Sequence, residues 1–174
     1  EAELQRMLVT ALQYPGPAAV RYPRGVGIGA DLATNPQALV VGQAELMQDG
    51  KDACIITLGS RVYPALEAAE EIQQETGKSV AVLNSRFVKP LPEAELEDLA
   101  KRFNKILFVE ENAVQGGFSS AVLELWADKG LITGQKIVRL GLPDEFIEHG
   151  KQKELRAKLG INKDGIKKAL GAII

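Results

Sequence analysis

Asp49-Gly50-Lys51-Asp52-Ala53-Cys54-Ile55-Ile56-Thr57-Leu58-Gly59-Ser60-Arg61-Val62 is the stretch on which the fold turns. Asp-Gly is a strong hairpin signal, because both central residues of a type I′ turn need positive φ. It predicts a strand over 42–47 joined by a hairpin to a strand over 53–58 and running antiparallel to it. The second strand is apolar at nearly every position, as a strand covered on both faces must be. Ser60 can then cap a helix over 61–75, whose stripe Val62, Ala65, Leu66 and Ala69 faces the sheet.

Downstream the alternation continues. Strands are predicted over 80–84, 106–110 and 137–140, and helices over 93–103 and 118–128. The second helix has the stripe Leu96, Leu99, Ala100 and Phe103, and the third has Phe118, Ala121, Val122 and Leu125. Gly77 can end the first helix in a left-handed conformation, and Pro92 suits the first turn of the second. Repeated βα units with right-handed crossovers build a three-layer α/β/α sandwich around a mostly parallel sheet of about five strands, with the antiparallel strand at one edge. Two short helices over 151–159 and 163–170 close the pattern.

Upstream the organisation changes. Leu4, Met7, Leu8 and Ala11 share one face of a helix over 1–14, a turn follows at Pro15-Gly16-Pro17, and Ala18–Tyr22 reads as a short strand. Gly25, Gly27, Gly29, Asp31, Asn35 and Pro36 punctuate a linker. One helix and one strand cannot bury themselves, so residues 1–33 are expected to be the tail of a preceding domain and 34–174 a domain of their own. The chain opens at Glu1 already inside the helical pattern, which suggests a piece of something longer.

Composition narrows the function classes. With 45% hydrophobic and 25% charged residues and a net charge of -2, the chain is an ordinary globular protein without the basic footprint of a nucleic-acid binder. Its single cysteine, Cys54, lies in an apolar run and reads as a buried structural thiol. A disulfide framework and a cysteine-based zinc site therefore find no support. No apolar run reaches membrane-spanning length, so a reducing cytoplasmic setting is expected; a plastid protein stripped of its transit peptide would read the same.

Few residues offer chemistry. In Arg21-Tyr22-Pro23-Arg24-Gly25, Pro23 ends the strand and Arg24 projects from its carboxyl end, where ligands of open α/β sheets bind. A guanidinium fork there can grip a phosphate or carboxylate; from the residues alone, a surface or interface salt bridge explains any single arginine as well. Gly25-Val26-Gly27-Ile28-Gly29-Ala30 lacks the G-x-G-x-x-G spacing and a following helix, so it reads as linker. Glu110 and Glu111 are adjacent and diverge in extended chain, making a poor acid/base pair. The glycines at 116 and 117 make a βα turn, Ser119 or Ser120 is expected to cap the helix, and one glutamate to pair across an interface. His149, the only histidine, has no companion ligand for a metal. Arg86-Phe87-Val88-Lys89-Pro90-Leu91 reads as a packed βα loop.

Four segments in register carry a resemblance: Arg21–Gly25, Asn84–Leu91, Val109–Asn112 with Gly116-Gly117-Phe118, and Gly141–Gly150. Together they resemble the carboxyl-terminal region of the 1-deoxy-D-xylulose-5-phosphate synthase family, thiamine-diphosphate transferases of the transketolase type, across nearly the whole chain. The resemblance implies that residues 1–33 end a pyrimidine-binding domain and that the rest is a transketolase carboxyl-terminal domain. It implies a homodimer that joins pyruvate to D-glyceraldehyde 3-phosphate, giving 1-deoxy-D-xylulose 5-phosphate and carbon dioxide for isoprenoid, thiamine and pyridoxal synthesis. Arg24 matches the family's clamp on the phosphate of the aldehyde. The family's Gly-Asp-Gly segment for thiamine diphosphate and Mg2+, and its activating glutamate, have no counterpart here. The resemblance therefore assigns no catalytic, cofactor-binding or metal residue to this chain, which is expected to be inactive by itself. Ser119 stands where the family usually has glycine, which puts the backbone of that turn in question. Transketolase, the β part of a 2-oxoacid dehydrogenase E1 component, and a non-catalytic assembly or regulatory α/β module are the competing readings.

Overall fold

A computed structural model describes all residues, 1–174. Helix α1 (Ala2–Gln13) precedes a long irregular stretch. The elements that follow are β1 (Glu45–Gln48), β2 (Ala53–Thr57), α2 (Val62–Thr76), β3 (Val80–Asn84), α3 (Glu93–Arg102), β4 (Lys105–Ala113), α4 (Phe118–Asp128), β5 (Lys136–Leu142), α5 (Gln152–Lys158) and α6 (Lys163–Gly171). The strands form one sheet in the order β1-β3-β2-β4-β5. The four central and far-edge strands pair in parallel, and β1 pairs antiparallel to β3.

Strand periodicity divides the core. Cys54, Ile56, Ala81, Leu83, Ile106 and Phe108 point to one face and pack under Leu96 and Leu99 of α3 and Val122 and Trp126 of α4. Ala53, Ile55, Val80, Val82, Leu107 and Val109 point to the other, under Ala65, Ala69 and Ile72 of α2 and Ile166 and Leu170 of α6. Every residue of β2 and β3 is buried, and each buried isoleucine or leucine contributes roughly 2 kcal/mol from area alone. This is the expected three-layer sandwich with its antiparallel edge strand. Gly77 ends α2 at φ 71°, as expected.

The hairpin is a correction. Asp49-Gly50 does not join paired strands, and Gly50 lacks the positive φ of a type I′ turn. Instead β3 lies between β1 and β2, and residues 49–52 cross its amino end, where Lys51 and Asp52 donate to the Ser79 carbonyl. Gly50 is needed for close passage: a Cβ there would lie 2.4 Å from the Ala81 nitrogen. The reason is competition for β2, whose two edges are taken by the parallel partners β3 and β4.

Three further expectations are corrected. Ala18–Tyr22 forms no strand, because no neighbouring strand offers it a ladder. Ser60 lies in a 3-10 turn (Gly59–Arg61) and does not cap α2. Neither Ser119 nor Ser120 caps α4, whose amino end is served from β4 instead. The apolar stripe of α1 is only half-buried, with Leu8 left exposed. Polar contacts hold that helix: Gln5 exchanges hydrogen bonds with Ala33, and Thr10 accepts from the Leu39 nitrogen at 2.8 Å. No helix is long and apolar enough to cross a membrane.

Candidate functional site

In a parallel sheet all strands present their carboxyl ends at one edge, so loops distant in sequence meet there. The four motif segments do so. Asn84-Ser85-Arg86 leaves β3, Glu110 and Glu111 lie near the end of β4, Gly141 and Leu142 lead out of β5 toward His149, and the Arg21–Gly25 segment rests against this edge from upstream.

Period-2 alternation sends the two glutamates of β4 to opposite environments. Glu110 is buried and accepts from the Phe118 nitrogen at 2.8 Å, the Ser119 nitrogen at 3.0 Å and the Ser119 Oγ at 2.6 Å. It caps α4 from another element. Gly117 is required beside it, since a Cβ there would lie 2.0 Å from the Ala113 carbonyl oxygen and 2.5 Å from Glu110 Oε2.

Glu111 turns toward α5. Arg156 donates to it in bidentate fashion, Nε to Oε1 and an Nη to Oε2, both at 2.9 Å, and Ser60 Oγ donates at 2.6 Å. Buried Arg61 lies 3.4 Å away and also donates to the Ile161 carbonyl. Burial raises the Glu111 carboxyl, but the hydrogen bonds from Arg156 and Ser60 and the two guanidinium charges outweigh it and hold the group below its ordinary value. Arg61 moves down, first through burial and then through the like charge of Arg156, with Glu111 opposing. Glu111 therefore pairs inside the chain, not across an interface as expected, and the cluster fastens α5 to the end of β4.

At the other side of the edge, Arg86 sits at φ 56°, the only non-glycine residue with positive φ. Its side chain is held by Glu3 of α1, Nε to Oε2 at 3.2 Å, and by Glu45 of β1, while Asn84 Nδ2 also donates to Glu3. Such strain persists where the surroundings over-determine the residue. The Arg86 loop thus joins α1 to the sheet.

Arg24 is exposed and its guanidinium has no hydrogen-bond or ion-pair partner. The other seven arginines, at 6, 21, 61, 86, 102, 139 and 156, all donate to a protein oxygen. Arg21 reaches the Glu111 carbonyl at 3.3 Å, so the two arginines of the motif differ in their contacts. The glycine linker is tied as well: the Gly29 nitrogen donates to the Glu1 carboxylate at 2.7 Å. His149 is exposed. Cys54 is fully buried, and burial pushes its thiol up, away from any nucleophilic role.

Two partnerships at this edge carry no signal in the sequence: Glu110 as a cap and Glu111 with Arg156. A carboxylate eight residues ahead of a helix lacks the short S-x-x-E spacing of a local capping box, and the second pair is separated by 45 residues. Asp49 accepts from Arg102 at 2.6 Å and from the Gly50 nitrogen at 2.8 Å, and no group of three His, Cys, Asp or Glu side chains converges to hold a metal.

The sheet order, its antiparallel edge and the loops gathered at one rim define a transketolase-type carboxyl-terminal domain. Residues 42–166 match the family model for the transketolase, C-terminal domain, and the chain belongs to that family. Among curated relatives, 1-deoxy-D-xylulose-5-phosphate synthase of Nitratidesulfovibrio vulgaris is 55% identical over 170 residues, covering 98% of this chain and 26% of that protein. 1-Deoxy-D-xylulose-5-phosphate synthase 1 of Geobacter sulfurreducens is 48% identical over 174 residues, covering 100% of this chain and 27% of its own length. The chain thus spans about a quarter of these relatives, 26% and 27%. Among solved structures, an inactive β4 tetramer of a split-gene transketolase superposes with a TM-score of 0.70 at 27% identity, over 78% of this chain and 43% of that one. Transketolase of Campylobacter jejuni shares the fold with a TM-score of 0.52 at 18% identity, over 75% of this chain and 18% of that one.

Proposed function

We propose that this chain is the carboxyl-terminal quarter of a 1-deoxy-D-xylulose-5-phosphate synthase, the enzyme that condenses pyruvate with D-glyceraldehyde 3-phosphate to 1-deoxy-D-xylulose 5-phosphate and carbon dioxide. Residues 1–33 complete a pyrimidine-binding domain, and residues 34–174 form the transketolase carboxyl-terminal domain. Thiamine diphosphate and magnesium are held by other parts of the full protein, which acts in the cytoplasm as a homodimer. The chain alone does not turn over.

One observation carries the substrate role: of eight arginines only Arg24 leaves its guanidinium unpaired, on a segment fastened at the carboxyl edge of the sheet. An uncommitted planar fork is suited to the phosphate of the aldehyde substrate, which it can grip with two parallel N–H donors. Its neighbours are spent on structure. The relatives' shared name and the four motif segments at one rim support the same reading.

The test is an assay of the full-length protein. Pyruvate with D-glyceraldehyde 3-phosphate is expected to give 1-deoxy-D-xylulose 5-phosphate with release of carbon dioxide, while ketose phosphate donors are expected to give no transfer. Turnover of ketose donors in place of pyruvate would transfer the assignment to transketolase.

A further inference from the structure

Arg24 lies in an irregular segment, yet a clamp must be held still to be selective. The segment is fastened to the sandwich at two points three residues apart. Arg21 donates to the Glu111 carbonyl at 3.3 Å, and Gln152 Nε2, at the first turn of α5, donates to the carbonyl of Arg24 itself. The Gln152 side chain lies over Gly25, where a Cβ would stand 2.9 Å from Gln152 Oε1 and 3.7 Å from Nε2. The absence of a side chain at Gly25 leaves room for the amide to lie there.

Gln152 is in turn held by its helix. Arg156 follows it by four residues, one turn further along the same face of α5, and grips Glu111 of β4 in bidentate fashion. Glu111 is itself fixed by Ser60 and Arg61. A path thus runs from Glu111 at the end of β4 through Arg156 to α5, and from Gln152 of that helix to the main chain of Arg24.

We propose that Gln152 is a positioning residue for Arg24: the carboxyl-terminal domain orients the phosphate clamp through one amide-to-carbonyl hydrogen bond. The inference rests on the reading of Arg24 as the phosphate clamp. Gln152 touches no substrate, so its effect is confined to how well Arg24 presents its fork.

The experiment is steady-state kinetics of the full-length enzyme with Gln152→Glu, which keeps size but loses the donor, and Gln152→Lys, which keeps a donor of similar reach. Gln152→Glu is expected to raise the KM for D-glyceraldehyde 3-phosphate about fivefold, the size of one lost hydrogen bond, with kcat and the KM for pyruvate unchanged. Gln152→Lys restores most of the loss, and unphosphorylated D-glyceraldehyde as acceptor shows no difference between variants. In an Arg24→Ala background Gln152→Glu adds nothing further. A wild-type KM in Gln152→Glu, alongside a raised one in Arg24→Ala, overturns the positioning role alone. Equal effects of Arg24→Ala on both substrates overturn the clamp beneath it.

Discussion

Glu110, near the end of β4, receives two hydrogen bonds from Ser119 of α4, from the backbone nitrogen at 3.0 Å and from Oγ at 2.6 Å, with no exposure of Ser119 to solvent. A third comes from the Phe118 nitrogen at 2.8 Å. Serine at 119 therefore adds a donor to a cap supplied by the preceding strand, and it sits in helical backbone without positive φ. The turn before it takes its positive φ from Gly116, at 67°.

Removing the cap should be costly. Glu110→Ala leaves three buried donors unsatisfied, each worth about 1 kcal/mol or more, so a loss of about 3 kcal/mol is expected. Urea denaturation followed by circular dichroism measures it as a lower midpoint at unchanged slope. Glu110→Gln keeps one acceptor oxygen and loses less. A midpoint within error of wild type in Glu110→Ala would show that α4 is capped otherwise.

Two lysines of α6 hold Glu71 of α2, Lys163 Nζ at 2.5 Å and Lys167 Nζ at 2.8 Å, across the seam between the two helices on one face of the sheet. Hydrogen bonds from Lys163, then Lys167, lower the carboxyl from 4.5 to about 2. A depressed carboxyl contributes stability that is complete above its unfolded value and is lost as pH falls through its folded one. The window is therefore pH 4.5 down to about 2. Thermal unfolding of Glu71→Gln is expected to show a shallower fall in Tm across that window than wild type, with the curves converging at its acid end. Parallel curves would remove Glu71 from the acid response.

The sandwich was legible because its information is local. Apolar runs such as Ala53–Ile56 and stripes such as Leu96, Leu99, Ala100 and Phe103 report burial residue by residue, and all become core. Strand neighbours were not, because pairing is decided by which edges remain free. Asp49-Gly50 chemistry predicts a hairpin, but β3 and β4 take both sides of β2. The same holds for the rim. Arg24 was singled out from the end of a strand before Pro23 that does not form, and Gln152 and Arg156 carry no signal of their own until α5 is laid beside β4.

Thiamine diphosphate should find no home on this chain alone. Its best-placed Asp-Gly dipeptide is committed to Arg102, and no carboxylate cluster awaits magnesium. Isothermal titration of residues 1–174 with thiamine diphosphate and Mg2+ is expected to give only heats of dilution. Saturable heat with micromolar affinity would refute the placement of the cofactor elsewhere in the parent protein.

Arg24→Ala in the full-length enzyme tests the substrate role most directly. Hydrogen bonds to a charged group contribute roughly 1.5 to 3 kcal/mol, so the KM for D-glyceraldehyde 3-phosphate should rise about tenfold to a hundredfold. Pyruvate carries no phosphate, and its KM should stay near wild type. Arg24→Lys returns charge without the planar fork and should recover only part of the loss. Because the unpaired guanidinium stabilises no contact within this chain, the melting temperature should not move. That separates a lost clamp from a damaged fold: a lowered melting temperature, or equal rises for both substrates, would assign Arg24 to structure.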